Sequence, residues 1–209
     1  MQKPDAEIII GPSNVGKGIS SEYLKNKGYA LPLSTEDALQ EILSKKEISD
    51  IELEIKKTIE SGMFLSDTER NHIMHSKVIS DIKNEIYKSG NIYLLNGYPR
   101  TIPQAMYSLN LFNITKVIRF SGGETFNEEL ITLQEHAAKR VKEAIANNKK
   151  PRNDDLPEVV PVRYQQFLKQ TIPVMHFMKG NNVPIVNVYN RFKNPQEKLF
   201  YDVLKAFKE

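Results

Sequence analysis

Short apolar runs alternate along the chain with longer stretches of helical periodicity. Residues 6–10 form a branched apolar run closed by Gly11-Pro12, as a strand buried on both faces requires. Residues 16–27 suit a helix that Gly28 ends. Residues 29–33 read as a second strand. Ser34, Thr35 and Asp37 are N-cap types ahead of a helical stretch at 38–43. Ile48, Ile51, Ile55 and Ile59 fall on one helical face, and Gly62 stops that helix. Ser66 or Asp67 caps a long helix running to about Lys88, followed by a turn at Ser89-Gly90-Asn91.

The alternation continues with a strand at 92–95 and a helix at 101–111 that carries Pro103 in its first turn. A strand at 116–120, a helix at 128–146 and a polar tract at 147–153 come next. Asp155 caps a helix to Met178, with Pro157 in its first turn and Pro161 and Pro173 bending it. A strand at 183–188 and a helix at 195–207 complete the series. Strands alternating with helices throughout predict an α/β fold with a largely parallel central sheet flanked by helices.

Composition narrows the function classes. The 209 residues are 40% hydrophobic and 26% charged, which fits one domain with a sizeable core. There is no cysteine, so disulfides, thiolate zinc sites and a cysteine nucleophile are excluded. With 29 basic and 26 acidic side chains, the formal charge of +3 is too small to imply nucleic acid or an anionic membrane as partner. No run approaches about eighteen apolar residues. A soluble, cytoplasmic monomer is expected.

One motif carries chemistry directly. Gly11-Pro12-Ser13-Asn14-Val15-Gly16-Lys17 fits G-x-x-x-x-G-K between an apolar strand and a helix. A loop wrapped around a phosphate turns its backbone N–H groups inward, the following helix adds its positive end, and Lys17 adds a full charge. The next residue is Gly18, so the Ser or Thr that usually ligates magnesium is absent there.

Further motifs follow in order: Ser34-Thr35-Glu36-Asp37-Ala38-Leu39-Gln40, then Asn96-Gly97-Tyr98-Pro99-Arg100-Thr101-Ile102-Pro103-Gln104, then Arg152-Asn153-Asp154-Asp155 with Arg163. Together with Gly16-Lys17-Gly18-Ile19 they resemble the adenylate kinases of the nucleoside monophosphate kinase group. The corresponding family segments read Ser-Thr-Gly-Asp-x-Leu-Arg, Asp-Gly-Phe-Pro-Arg-Thr-x-x-Gln, Arg-x-Asp-Asp and Gly-Lys-Gly-Thr.

The resemblance implies a three-layer phosphate-loop fold with core segments 1–33, 68–139 and 153–209, a monophosphate-binding insert at 34–67 and a short lid at 140–152. It implies reversible transfer of the γ-phosphoryl group of ATP to a nucleoside monophosphate, with AMP the expected acceptor. Mg2+ would be carried by the nucleotide. Lys17, Arg100, Arg152 and Arg163 are then the catalytic clamps, because guanidinium forks grip phosphate oxygens and stay charged. Ser13, Asn14, Val15, Gly16, Lys17, Gly18, Ile19 and Arg140 would hold ATP, with Arg140 stacking on its base and the loop 189–193 beside it. Thr35, Gln40, Leu65, Gly97, Arg100 and Gln104 would hold the acceptor, with Gln104 reading its base. Asp154 and Asp155 would orient arginines.

Four of the differences from the pattern bear on the chemistry. Gln40 stands for an arginine, Asn96 for an aspartate, Ile19 for a threonine, and the lid is one arginine short, with Lys149 or Lys150 the nearby substitutes. The alternative reading is therefore an adenylate-kinase-like nucleotide-binding protein with impaired turnover. A plain hydrolase has no use for the second-pocket residues Thr35, Arg100 and Gln104. His72 with His75, and the single His136 and His176, read as packing or surface histidines. Met175, Met178, Phe167 and Phe177 read as core. The pairs Lys45-Lys46 and Lys56-Lys57 read as solvated faces.

Overall fold

The computed structural model describes residues 3–45 and 48–208. Five parallel strands make one sheet in the order β2-β3-β1-β4-β5. They are β1 (Asp5–Ile10), β2 (Leu31–Ser34), β3 (Tyr93–Asn96), β4 (Asn113–Ser121) and β5 (Ile185–Tyr189). Helices α1 (Lys17–Asn26), α2 (Thr35–Ser44), α3 (Asp50–Glu60), α4 (Asp67–Lys83), α5 (Ile102–Leu111), α6 (Phe126–Ala146), α7 (Val159–Gln166), α8 (Ile172–Gly180) and α9 (Gln196–Lys208) connect and flank them. The α/β architecture read from the alternation is the one observed.

β1 lies at the centre, paired on one side to β3 and on the other to β4. Both faces of its apolar run are covered, which leaves Ile8, Ile9 and Ile10 buried. Because every strand points the same way, the loops after β1, β2, β3 and β5 emerge along one edge of the sheet. Ile9 and Ser34 both lie in register with Asn96, and Ser121 with Tyr189. Ligands of open parallel sheets bind outside this carboxyl edge.

Local signals set most helix boundaries. Ser34 caps α2, its Oγ accepting from the Asp37 N–H. Ser49, Ser66 and Thr125 each close a capping box with Glu52, Glu69 and Glu128. The Thr125 box starts α6 two residues before the predicted position. α4 stops at Lys83 rather than Lys88, because Glu85 takes a left-handed conformation at φ 57. That turn returns Tyr87 to the sheet, where its ring stacks on Tyr93 at 4.8 Å and its hydroxyl accepts from the Asp5 N–H.

The bent helix expected from Asp155 to Met178 starts later, at Val159, and runs to Gly180 through a π-helical stretch. Asp155 belongs to a 3-10 turn, Asn153–Asp155, and caps nothing. Pro161 sits in the first turn of α7, where its missing N–H is not needed, so it bends nothing. The π-helical stretch, Phe167–Thr171, joins α7 to α8 and accommodates Pro173 at the α8 start. Met175, Met178 and Phe167 are buried as predicted.

α9 is tied down by a cation in the sheet. Lys116 of β4 is buried beside Glu7 of β1, its Nζ 3.6 Å from the carboxylate. The same Nζ donates to the carbonyls of Ala206 and Phe207 at 3.0 and 3.2 Å. A cation is thus placed where the last turn of α9 presents unpaired carbonyls. Replacing it strands both an acid and these carbonyls. Lys116→Met is expected to cost about 3 kcal/mol, read from the urea midpoint, and the double variant Glu7→Gln/Lys116→Met to regain most of that.

Candidate active site

The loop after β1 is built for close approach. Asn14 at φ 68 and Gly16 at φ 97 turn the backbone between Gly11 and α1. A Cβ at Gly16 would meet Asn190 Nδ2 at 2.7 Å, so that position admits no side chain. Asn190, buried after β5, donates its amide to the Val15 carbonyl at 3.1 Å and fixes the loop from outside. Lys17 opens α1 and folds back, its Nζ donating to the carbonyls of Gly11 and Pro12 at 2.6 and 2.5 Å.

The loop floors a cleft of ≈ 950 Å³ at the carboxyl edge of the sheet. Its walls bring together Lys17, Arg100 from the loop after β3, and Arg152 and Arg163 from either side of the 3-10 turn. Burial lowers the Lys17 ammonium from its usual 10.5 to about 7, and Arg100, Arg163 and Arg152 push in the same direction. Burial also lowers Arg100, with Arg70 and Arg163 adding repulsion.

Carboxylates hold the arginines in place. Asp154 reaches Arg163 at 3.4 Å and Arg152 at 3.9 Å, and Asp155, buried, reaches Arg140 at 3.4 Å. Arg140 NH1 also donates to Asn14 Oδ1 at 2.7 Å. Arg100 Nε donates to the Gly97 carbonyl at 2.7 Å.

Of the residues predicted for the donor nucleotide, Ser13, Asn14, Gly16, Lys17, Gly18, Ile19 and Arg140 line this cleft. Val15 does not. Its side chain is fully buried, and what it offers the loop is backbone. The Arg140 guanidinium is held at its edge by Asn14 and Asp155. The rings at that wall belong to His136 and Phe192, 5.5 Å apart. The sequence suggests a packing or surface role for His136, and the structure places it in the cleft wall. It lies one turn before Arg140 on α6, and its Nδ1 is 3.0 Å from the Asn14 carbonyl oxygen. The i, i+4 spacing to Arg140 was the available signal.

The predicted acceptor residues are less united. Gly97 and Arg100 line the cleft. Thr35 is buried, with its hydroxyl 4.0 Å from Met74 Sδ. Gln40 is exposed on α2, and the Leu65 carbonyl accepts from Arg70 Nε. Gln104 is 2% exposed and its amide is used at both ends. Its Oε1 accepts from the Arg100 N–H at 2.8 Å and its Nε2 donates to Asp67 at 2.6 Å. In this arrangement Gln104 braces Arg100 and the start of α4 instead of presenting its amide to a base.

Other histidines are engaged elsewhere. His75 meets Tyr107 OH at 2.7 Å and His72 meets Ser76 Oγ at 3.1 Å. His176 is exposed. Lys45 pairs with Glu52 at 2.7 Å, Lys56 and Lys57 are exposed, and Lys46 lies outside the described residues. Among the described residues, no three His, Asp or Glu side chains gather as a metal-binding group. Asn96, at the end of β3, lines the cleft and donates to Ser21 Oγ at 3.5 Å. No helix among the described residues is long and apolar enough to cross a membrane.

A parallel sheet whose first loop has the phosphate-loop form, with arginines converging on it from two later segments, is the arrangement of a phosphate-loop phosphotransferase. Comparison with known proteins narrows the class. Residues 9–183 match the family model described as adenylate kinase. Adenylate kinase of Methylorubrum extorquens (strain PA1) is 31% identical over 176 residues, covering 84% of each chain. Adenylate kinase of Brucella melitensis biotype 1 is 28% identical over 173 residues, covering 83% of this chain and 84% of its own. The chain belongs to the adenylate kinase family, and the activity that family membership supports is phosphoryl transfer involving a nucleoside monophosphate.

The lowered Lys17 predicts a proton linkage. Above pH 7 the ligand-free lysine is largely neutral, and polyphosphate charge raises its proton affinity again. The complex then binds more protons than the free protein, so binding takes up protons and weakens as pH rises. ATP titrations at pH 8 in two buffers of different ionisation enthalpy are expected to show this uptake, and Lys17→Met to lose it.

Proposed function

We propose that the protein transfers the γ-phosphoryl group of ATP to AMP, reversibly, giving two ADP. The observation that carries this reading is the meeting of Lys17, Arg100, Arg152 and Arg163 around one cleft floored by the phosphate loop. An α-phosphate oxygen of the acceptor attacks the γ-phosphorus, and the bond from that phosphorus to the bridging oxygen of ADP breaks. Negative charge spreads over the moving group during the step. Fixed cations that exclude water stabilise it more than they stabilise either bound nucleotide.

Roles follow from position. The loop amides of 13–19 and Lys17 hold the donor phosphates. Arg100 is fixed by Gly97 and Gln104 on the side of β2 and β3, which suits the acceptor phosphate. Arg152 and Arg163 come from the opposite side and share Asp154, which suits the transferring group. Segments 34–67 and 140–152 are the parts that close over acceptor and donor. Mg2+ carried by the nucleotide would supply charge neutralisation, and Asn96, which lines the cleft, would order its waters.

A coupled assay with ATP, Mg2+ and a panel of monophosphates tests this. AMP is expected to be the preferred acceptor, and no acceleration by any monophosphate over the acceptor-free rate refutes it. Arg100→Ala and Arg163→Ala should each lower kcat/KM by about a hundredfold or more, with circular dichroism unchanged.

A further inference from the structure

An anion already sits on the acceptor side of the cleft. The Arg100 guanidinium is fixed through Nε to the Gly97 carbonyl and lies against the bare Cα of that glycine. Gly97 has φ 79, and a Cβ there would stand 2.9 Å from Arg100 NH2. The terminal NH2 of this guanidinium faces Glu36, whose Oε1 is 3.7 Å away.

Glu36 comes from a different element. It lies in the first turn of α2, whose amino end is capped by Ser34. Its carboxylate therefore has two attractions, a guanidinium and the positive end of a helix. A phosphate at this position would have the same two. Arg70 and Arg163 lie near enough to repel the Arg100 charge, and Asp154 offsets part of that repulsion, so Glu36 joins a mixed cluster in which three arginines meet. The hold on Glu36 is loose, since its side chain is 73% exposed and 3.7 Å is a long ion pair. The corresponding residue in the family segment quoted above is glycine, which puts no charge there.

We infer that Glu36 sets acceptor affinity: its carboxylate occupies the anion position on Arg100 and is displaced by the phosphate of the incoming monophosphate. This rests on the phosphotransfer reading and adds to it a residue that opposes substrate. Displacement breaks the Arg100 pair and brings an acid close to a phosphate, so acceptor binding is weaker than the cations alone allow.

The test compares wild type with Glu36→Gln, Glu36→Ala and Glu36→Lys. AMP is titrated calorimetrically without ATP, and KM is measured separately for AMP and ATP. Glu36→Gln and Glu36→Ala are expected to tighten AMP binding and lower its KM by about three- to tenfold, leaving the KM for ATP unmoved. Glu36→Lys should tighten AMP binding further although a cation is the worst choice for a helix amino end. A merely structural role would instead lower Tm and weaken AMP binding in that variant. Unchanged or weaker AMP binding by Glu36→Gln and Glu36→Ala, in protein that turns AMP over, overturns the inference. If no monophosphate yields ADP, the phosphotransfer reading fails instead, and the AMP titrations still decide Glu36.

Discussion

Positive charge packed against the phosphate loop is the constraint that organises this molecule. Lys17 is taken out of water next to three arginines, and its proton affinity falls accordingly. A folded chain tolerates such a cluster when local anions screen it and when its ligand is an anion. The screening here is partial. Asp154 serves two arginines at once, Asp155 serves Arg140, and Glu36 serves Arg100 through a long contact. None of them reaches Lys17, which turns to the Gly11 and Pro12 carbonyls. Such a cluster favours an anionic ligand over a neutral one.

The fold serves that cluster by bringing distant segments to one edge. The arginines lie far apart in the chain, at 100, 152 and 163. They meet because β1 and β3 are neighbours and because the 3-10 turn and α7 pack against α6. Rigidity is supplied below the cleft. Asn190 clamps the loop from β5, Gln104 clamps the backbone of Arg100 to the start of α4, and Lys116 pins the end of α9 to the sheet.

Much of this was legible in the residues. Short continuous apolar runs located the strands and period-3.6 patterns the helices, since a parallel sheet covered on both faces leaves runs such as 8–10. The phosphate loop was legible because its chemistry demands glycine and lysine at fixed spacing. What escaped the sequence depends on three-dimensional partners. No local pattern says that the Gln104 amide is consumed by Asp67 and Arg100, or that Arg140 is held by Asn14 and Asp155. His136 was marked only by its i, i+4 spacing to Arg140; it is a cleft residue because α6 passes the loop at Asn14. The π-helical stretch at Phe167–Thr171 also escaped, because a proline tells that a helix is disturbed and not whether a π turn or a kink absorbs it.

These four departures from the family pattern, at Ile19, Gln40, Asn96 and the lid, can be weighed by where their side chains lie. Ile19 is about half exposed in the first turn of α1, at the rim of the cleft. Gln40 is exposed on α2, outside the wall that carries the cations. Asn96 lines the cleft with a neutral amide and gives up a charge. Lys149 and Lys150 are exposed beyond the end of α6. Each of these changes bears on how a nucleotide is held or its waters ordered. The guanidinium and ammonium groups that face the cleft are retained, and so are the carboxylates that aim them. Stabilising a phosphoryl group in transit draws on those fixed charges, while ground-state binding draws on the rim. The physical expectation is an enzyme whose differences from its relatives appear in substrate affinity before they appear in the chemical step.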